Sequence, residues 1–393
     1  MLAILENVNT VKEINSLTAD FMSAVSGTLK GVERGPGLLV TNDDIKKIKR
    51  YVNAGLALPT DVNEIEQLYK YNQLNIAGLR SADMQAFYQS MKNHASSWSP
   101  LESSMKAVGS DLHVFADNFN SSSNSIINYL RSLPSYITGV GKIGGLTPEE
   151  IDNLPEIQLT GDEKQKIPAL LELVDELKTV IAEHSRSTQT TKAKITQFKD
   201  EITKSLKPAL GLKIALSNSH NFNEEIKQLN ERLDILNQRI DEKHAEIEQY
   251  SQSRWWGLFG GLVGFAVTST IYGKKAQQAR NELDQLLAER REIETKIATT
   301  SAVLASLLTF ETSLQDLQIR VEDAAGSSSN LESLWELIQA YVDASSKRLD
   351  GVTNAMYLVS FVSRLTTMTQ NWLEIKKQAG DLLTAFNNAT SES

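Results

Sequence analysis

All eight prolines lie between Pro36 and Pro208, so the chain from Ala209 to Ser393 contains none. Proline lacks an N–H donor and clashes with the preceding turn, so very long helices exclude it from their interiors. Strand signals are scarce: no series of alternating apolar and polar runs is separated by Asn-Gly or Asp-Gly turns. The expected fold class is all-α, an elongated helical bundle.

Helices are predicted over 5–30, 42–54, 61–95, 100–133, 162–206, 222–253, 274–322 and 330–387. Thr60, Thr147 and Thr160 stand where a hydroxyl can cap free N–H groups. Thr147-Pro148-Glu149-Glu150 and Thr160-Gly161-Asp162-Glu163 both fit the capping box. The Gly139–Gly145 loop and the Ser327–Asn330 turn punctuate the series. Residues 1–221 read as a helical bundle that includes the long helix 162–206. Residues 222–322 read as a coiled-coil stalk, and 323–393 as a long C-terminal helix packing back on the bundle.

Two heptad arms set the stalk. In the first, Ile226, Leu229, Leu233, Leu236, Ile240, Ile247 and Tyr250 recur at steps of three and four, with Lys243 at the skipped position. In the second, Ala276, Ala279, Leu283, Leu286, Ile293, Ile297, Thr300, Leu304 and Leu307 continue the pattern, with Arg290 the one charged residue in register. A 3–4 alternation keeps one narrow seam facing a partner helix. The expectation is a long antiparallel coiled-coil hairpin, its first arm projecting ~45 Å, with Trp255 at the far end of the molecule.

Between the arms, Trp255 to Gly273 carries no charge, with Arg254 on one side and Lys274 and Lys275 on the other. Its apolar members are Trp255, Trp256, Leu258, Phe259, Leu262, Val263, Phe265, Val267, Ile271 and Tyr272. An uncharged run of ~19 residues is at the threshold for a membrane span. Tryptophan and tyrosine at its edges suit the headgroup level, and the three basic residues suit anionic headgroups. Five glycines, Gly257, Gly260, Gly261, Gly264 and Gly273, argue against a buried core helix because they lower helix stability. A straight anchor would put the two arms on opposite sides of a bilayer, where they could not pair. An inserting tip at the end of the hairpin uses the glycines for reversal and for close helix contact at GxxxG spacing.

Composition narrows the function. Forty Lys plus Arg against 49 Asp plus Glu leave a net charge of −9, the wrong sign for a general nucleic-acid binder. Apolar residues at 41% suffice for a large core. There is no cysteine, so disulfides, thiolate metal sites and cysteine nucleophiles are excluded. The start MLAILENVNTVKEIN has no basic region and is interrupted by Glu6, so a cleaved signal peptide is not expected. His94, His113, His184, His220 and His244 are scattered singly and read as solvated or capping residues, with no metal-ligand spacing. Gly139-Val140-Gly141-Lys142-Ile143-Gly144 matches a dinucleotide fingerprint literally, yet no strand precedes it. No catalytic residue, metal ligand or cofactor site is expected, and no enzyme.

A helical body, a coiled-coil hairpin over Ile226–Tyr250 and Ala276–Leu307, and an apolar Gly-rich tip over Trp255–Gly273 together resemble the α-helical pore-forming toxins of the cytolysin A type. The likeness is strongest to the A component of alpha-xenorhabdolysin-type binary toxins. The resemblance implies a soluble monomer, secreted without a cleavable leader, that binds the target host-cell lipid membrane. It also implies a second helical toxin component of the B type, which supplies the membrane-crossing helices of a hetero-oligomeric pore. One-component members carry a β-tongue and an amphipathic N-terminal helix; here the Val11–Leu29 helix has no lipid-like character. The alternative is a coiled-coil scaffold or tethering protein anchored in the producer's own membrane by residues 255–273.

Overall fold

The computed structural model describes residues 37–69, 76–141, 150–151, 154–218, 224–252, 274–298 and 302–391, with Ser23, Ser26 and Thr28. Among these residues the only β pairing is an isolated bridge between Gln158 and Asn354. The helices are α1 (Asn42–Leu56), α2 (Val62–Tyr69), α3 (Ser81–Ser96), α4 (Trp98–Arg131), α5 (Pro134–Val140), α6 (Gly161–Lys164), α7 (Ile167–Glu201), α8 (Lys207–Asn218), α9 (Glu224–Gln252), α10 (Lys274–Ala298), α11 (Ala302–Leu349) and α12 (Ala355–Ser391). At ~1.5 Å per residue α11 is roughly 72 Å long, whereas a compact 393-residue globule would be only about 55 Å across. The molecule is elongated.

Local chemistry sets the helix ends. The Thr160 hydroxyl accepts the Glu163 N–H at 3.2 Å while the Glu163 carboxylate takes the Thr160 N–H at 2.8 Å, the expected capping box. The same carboxylate accepts the Ser135 N–H and hydroxyl at the start of α5. Burial pushes the Glu163 carboxyl up, but these hydrogen bonds outweigh it and hold it at about 2. At α2 the cap is Asp61, which accepts from Asn63 and Glu64, and not Thr60, whose carbonyl takes the Gln85 amide.

Several expected boundaries move. The helix foreseen over 61–95 is two helices, α2 and α3. Gly78 in the turn before α3 has φ 91°, which favours glycine. Gly139 belongs to α5 and not to a loop; a side chain there would meet Val359 of α12 at 3.0 Å. Instead of ending at 206, the long helix passes through a π-turn, Ile202–Leu206, and continues as α8. The Lys207 N–H reaches back to the Ile202 carbonyl, five residues away, just before Pro208, which has no N–H to give. The Ser327–Asn330 turn is absent: α11 runs through it from Ala302 to Leu349, and the chain reverses at Gly351 instead.

The body packs α4, α7, α11 and α12 along their lengths, with α1, α3 and α5 against them. Its centre is aromatic. Phe115 meets Trp335 and Trp372 edge-on, each at 4.6 Å, and the two indoles stack at 5.8 Å. The Trp335 indole N–H donates to the Thr188 hydroxyl at 2.9 Å. Two histidines are inside, contrary to the solvated roles expected of them. His184 stacks on Trp335, and His94 is fully buried between the Tyr51 hydroxyl, 2.7 Å from Nδ1, and the Phe198 carbonyl, 3.1 Å from Nε2. Both carry pKa values lowered by burial, that of His94 to about 4. Phe198 lies beside the π-turn, where the Ile202 N–H goes to Lys199, so His94 serves a carbonyl that the disturbed ladder leaves open.

Candidate membrane-directed hairpin

The heptad arms pair as α9 and α10. Leu233, Leu236, Ile240 and Ile247 of α9 are buried with Ala279, Leu283, Leu286, Ile293 and Ile297 of α10, and Leu229 packs on the edge of the seam. Arg232 bonds Glu289 at 2.8 Å and Lys243 bonds Glu282 at 2.7 Å. As the α9 number rises the α10 number falls, so the arms are antiparallel. Lys243, the charge at the skipped position, spans the seam edge to Glu282 and Glu246. The register brings Gln252 and Lys274, the two arm ends, to the same end of the hairpin.

Arg290, the charge in the second arm, is wholly buried. It donates to Asn237 of α9 and to Gln315 and Glu311 of α11, with Glu294 3.3 Å from its Nε. Glu294 in turn accepts from Thr312 of α11. Burial pushes the Glu294 carboxyl up against the opposing pull of Thr312 and Arg290. The buried charge is tolerated because three helices supply its partners.

A second cluster escaped the sequence reading. Arg320 of α11 binds Asp44 of α1 at 2.6 Å, Asp316 at 2.9 Å and Asp284 of α10 at 3.3 Å. Lys47 of α1 closes on Asp284 at 3.0 Å. Asp44 also completes the capping box of α1 with Thr41. Burial raises the Asp44 carboxyl, but Arg320, Arg280 and Thr41 hold it down at about 2. The available signal is the spacing of Glu311, Gln315, Asp316 and Arg320 among the apolar residues of Ala302–Val321.

These contacts place the hairpin. Asp284 meets Arg320, Arg290 meets Gln315 and Glu294 meets Thr312, so α10 and α11 are also antiparallel. The first half of α11 therefore has two apolar faces. Leu304, Ala305, Leu308 and Ile319 face the hairpin, while Leu307, Phe310, Leu314 and Leu317 face the body. Leu307, expected in the hairpin seam, instead packs into the body, because α11 is a separate helix antiparallel to α10. Extending the register, the arm ends lie level with about residue 330 of α11, roughly 28 Å short of its C-terminal end. Through these contacts the described part of α10 lies along the first half of α11.

Arg254, Trp255, Trp256, Gly257, Leu258, Phe259, Gly260, Gly261, Leu262, Val263, Gly264, Phe265, Val267, Ile271, Tyr272 and Gly273 lie outside the described residues. Lys274 and Lys275 open α10. Among the described residues no helix is long and apolar enough to cross a membrane, and no group of carboxylates and histidines could hold a metal ion.

Soluble SmhA of the tripartite alpha-pore forming toxin Smh from Serratia marcescens superposes with a TM-score of 0.52 at 14% identity, over 95% of each chain. The fold is that of an α-helical pore-forming toxin component. The likeness read from the hairpin and its flanks thus extends over nearly the whole chain. YaxA from Yersinia enterocolitica is 27% identical over 90% of this chain and 98% of its own, with a TM-score of 0.49. XaxA from Xenorhabdus nematophila is 23% identical over 91% of this chain and 99% of its own, with a TM-score of 0.46. No protein-family model and no curated protein matches the sequence.

Proposed function

We propose that this chain is the membrane-binding component of a two-component α-helical pore-forming toxin. It is soluble until residues 255–273 dock on a target-cell membrane, and it then recruits a second helical chain to complete a hetero-oligomeric pore. The observation that carries this reading is the level ending of the two arms at Gln252 and Lys274. A segment that leaves and returns at one level reverses, and each limb of about nine residues reaches only ~14 Å into a hydrocarbon core of about 30 Å. Shallow insertion in one leaflet suits docking, with Arg254, Lys274 and Lys275 at the headgroups, and leaves the channel lining to a partner. The all-helical fold shared with SmhA supports the toxin class.

Phe265→Asp tests the docking element. A carboxylate carried into the apolar layer costs about 2.5 kcal/mol or more, a loss of roughly 70-fold in membrane partitioning. Flotation with liposomes of phosphatidylcholine and phosphatidylglycerol should fall accordingly while circular dichroism stays unchanged. Unaltered flotation would remove 255–273 from the membrane role. Potent haemolysis by the purified chain alone would remove the need for a partner.

A further inference from the structure

We infer that a groove between the start of α4 and the end of α7 binds an aminoethyl phosphate group, its ammonium at Glu201 and its phosphate at Lys194. None of the groove's named residues belongs to 255–273, so the site stands or falls apart from the docking element. The groove has a volume of about 210 Å³ and is open to water. Pro100 and Leu101 of α4 and Phe198 of α7 give it an apolar wall, and Lys194, Gln197 and Glu201 line it from α7. Those three polar side chains leave α7 within about 60° of one another and share one face. The π-turn begins at the next residue, Ile202, and such interruptions recur at functional sites.

The carboxylate is the anchor. Glu201 is half-buried and makes no hydrogen bond or ion pair with any described residue, whereas its neighbour Asp200 holds Lys204 at 2.8 Å. Burial pushes the Tyr51 phenol up, and the Glu201 charge pushes it further, yet Tyr51 has no proton to offer that carboxylate. The Phe198 carbonyl can only accept, so Nε2 of His94 carries the hydrogen that reaches it, and Nδ1 takes the Tyr51 proton. A half-buried carboxylate beside a phenol already spent as a donor calls for a donor that is also a cation. A primary ammonium arriving through the groove meets that need. A quaternary one, with no N–H, does not.

At the other end Lys194 gives one of its ammonium hydrogens to the Ser104 hydroxyl at 2.7 Å, and Ser104 donates in turn to the Pro100 carbonyl at 3.0 Å. Its other hydrogens have no partner among the described residues, nor has the Gln197 amide one turn away. Positive charge with free N–H groups suits a phosphate. Lys194 and Glu201 lie two turns apart, ~10.5 Å along the axis. A charge-assisted hydrogen bond of ~2.8 Å at each end leaves about 5 Å between the charges of the ligand. That exceeds the span of an α-amino acid and suits two carbons between amine and phosphate.

Calorimetric titration of the full chain with phosphoethanolamine tests the site, with phosphocholine, ethanolamine and inorganic phosphate as comparison probes. Phosphoethanolamine should bind at least tenfold more tightly than each of the three. Glu201→Gln and Lys194→Gln should each weaken it at least tenfold, with circular dichroism and the urea midpoint unchanged. Equal binding of phosphocholine, or no binding of phosphoethanolamine at millimolar concentration, would overturn the site. So would unchanged binding in both variants. The comparison of probes on the unsubstituted chain decides even if a variant fails to fold. Vesicles of phosphatidylcholine with and without phosphatidylethanolamine then distinguish the source. Displacement of bound phosphoethanolamine only by the vesicles that contain phosphatidylethanolamine assigns the site to a lipid headgroup, and no displacement assigns it to the free compound.

Discussion

In the body, Phe115 of α4 is enclosed by Phe119 of the same helix and by His184 of α7, Trp335 of α11 and Trp372 of α12. In the hairpin, Leu233, Leu236, Ile240, Leu283 and Leu286 form a strip one or two residues wide, and the outer face of α9 is charged and open to water. Removing a body side chain leaves a void with walls on every side. Separating the hairpin from α11 leaves both units with a continuous seam of their own. The difference teaches where cooperativity resides: the body closes its core on every side, whereas the hairpin has one narrow seam shared with Leu304, Leu308 and Ile319 of α11.

The largest expected effect is Trp335→Ala. Loss of a buried indole costs about 3–5 kcal/mol, and the buried Thr188 hydroxyl loses its donor. A drop in the urea midpoint at unchanged slope would record it. A loss below about 1 kcal/mol would mean that the aromatic centre is not what makes the body cooperative.

Acid should act on the two regions with opposite signs. His94 sits at about 4, below its ordinary 6.5, so its stabilising contribution is complete above pH 6.5 and drains away as pH falls toward 4. The loss is on the order of 3 kcal/mol and falls on the joint of α1, α3 and α7. Glu294 is shifted upward, so acidification through its raised pKa relieves the hairpin and does not strain it. Amide exchange between pH 6.5 and 4.5, corrected for the intrinsic rate, should therefore quicken in α1 and α3 relative to α9 and α10. His94→Gln should flatten the body's response. Parallel loss in both regions would contradict the contrast.

The smallest effect belongs to Arg232→Ala. Arg232 and Glu289 are more than a third exposed, and such pairs change stability by within about 0.5 kcal/mol. A thermal melt should scarcely move; a large shift would mean that the hairpin depends on its rim and not on its seam.

The heptads made the hairpin legible, and Arg290 stood out as the charge that broke them. Its folding back was not legible, because Ile297, Thr300 and Leu304 keep one register and read as a straight helix. Periodicity tells which face is apolar, but not which neighbour covers it. For the same reason His94 could not be placed: Tyr51 and Phe198 are 43 and 104 positions away. Gly326 and the serines beside it carry a local turn signal, yet α11 is anchored on both sides by Leu317, Val321, Trp335 and Ile338, and long-range packing outweighs that signal.

The π-turn at Ile202–Leu206 acts as an angular gauge. Each residue of an α-helix turns the chain by about 100°, and the extra residue held in the wide turn fixes which face α8 turns toward the body. Deleting one residue there would restore an even ladder and swivel α8 by that same step. Leu210, now buried, would rotate off the core, and the Lys213 ammonium would leave the Gly78 carbonyl. The bearing of α8 is thus written in a count of residues, and an insertion or deletion at this turn would misdirect it while leaving its composition intact.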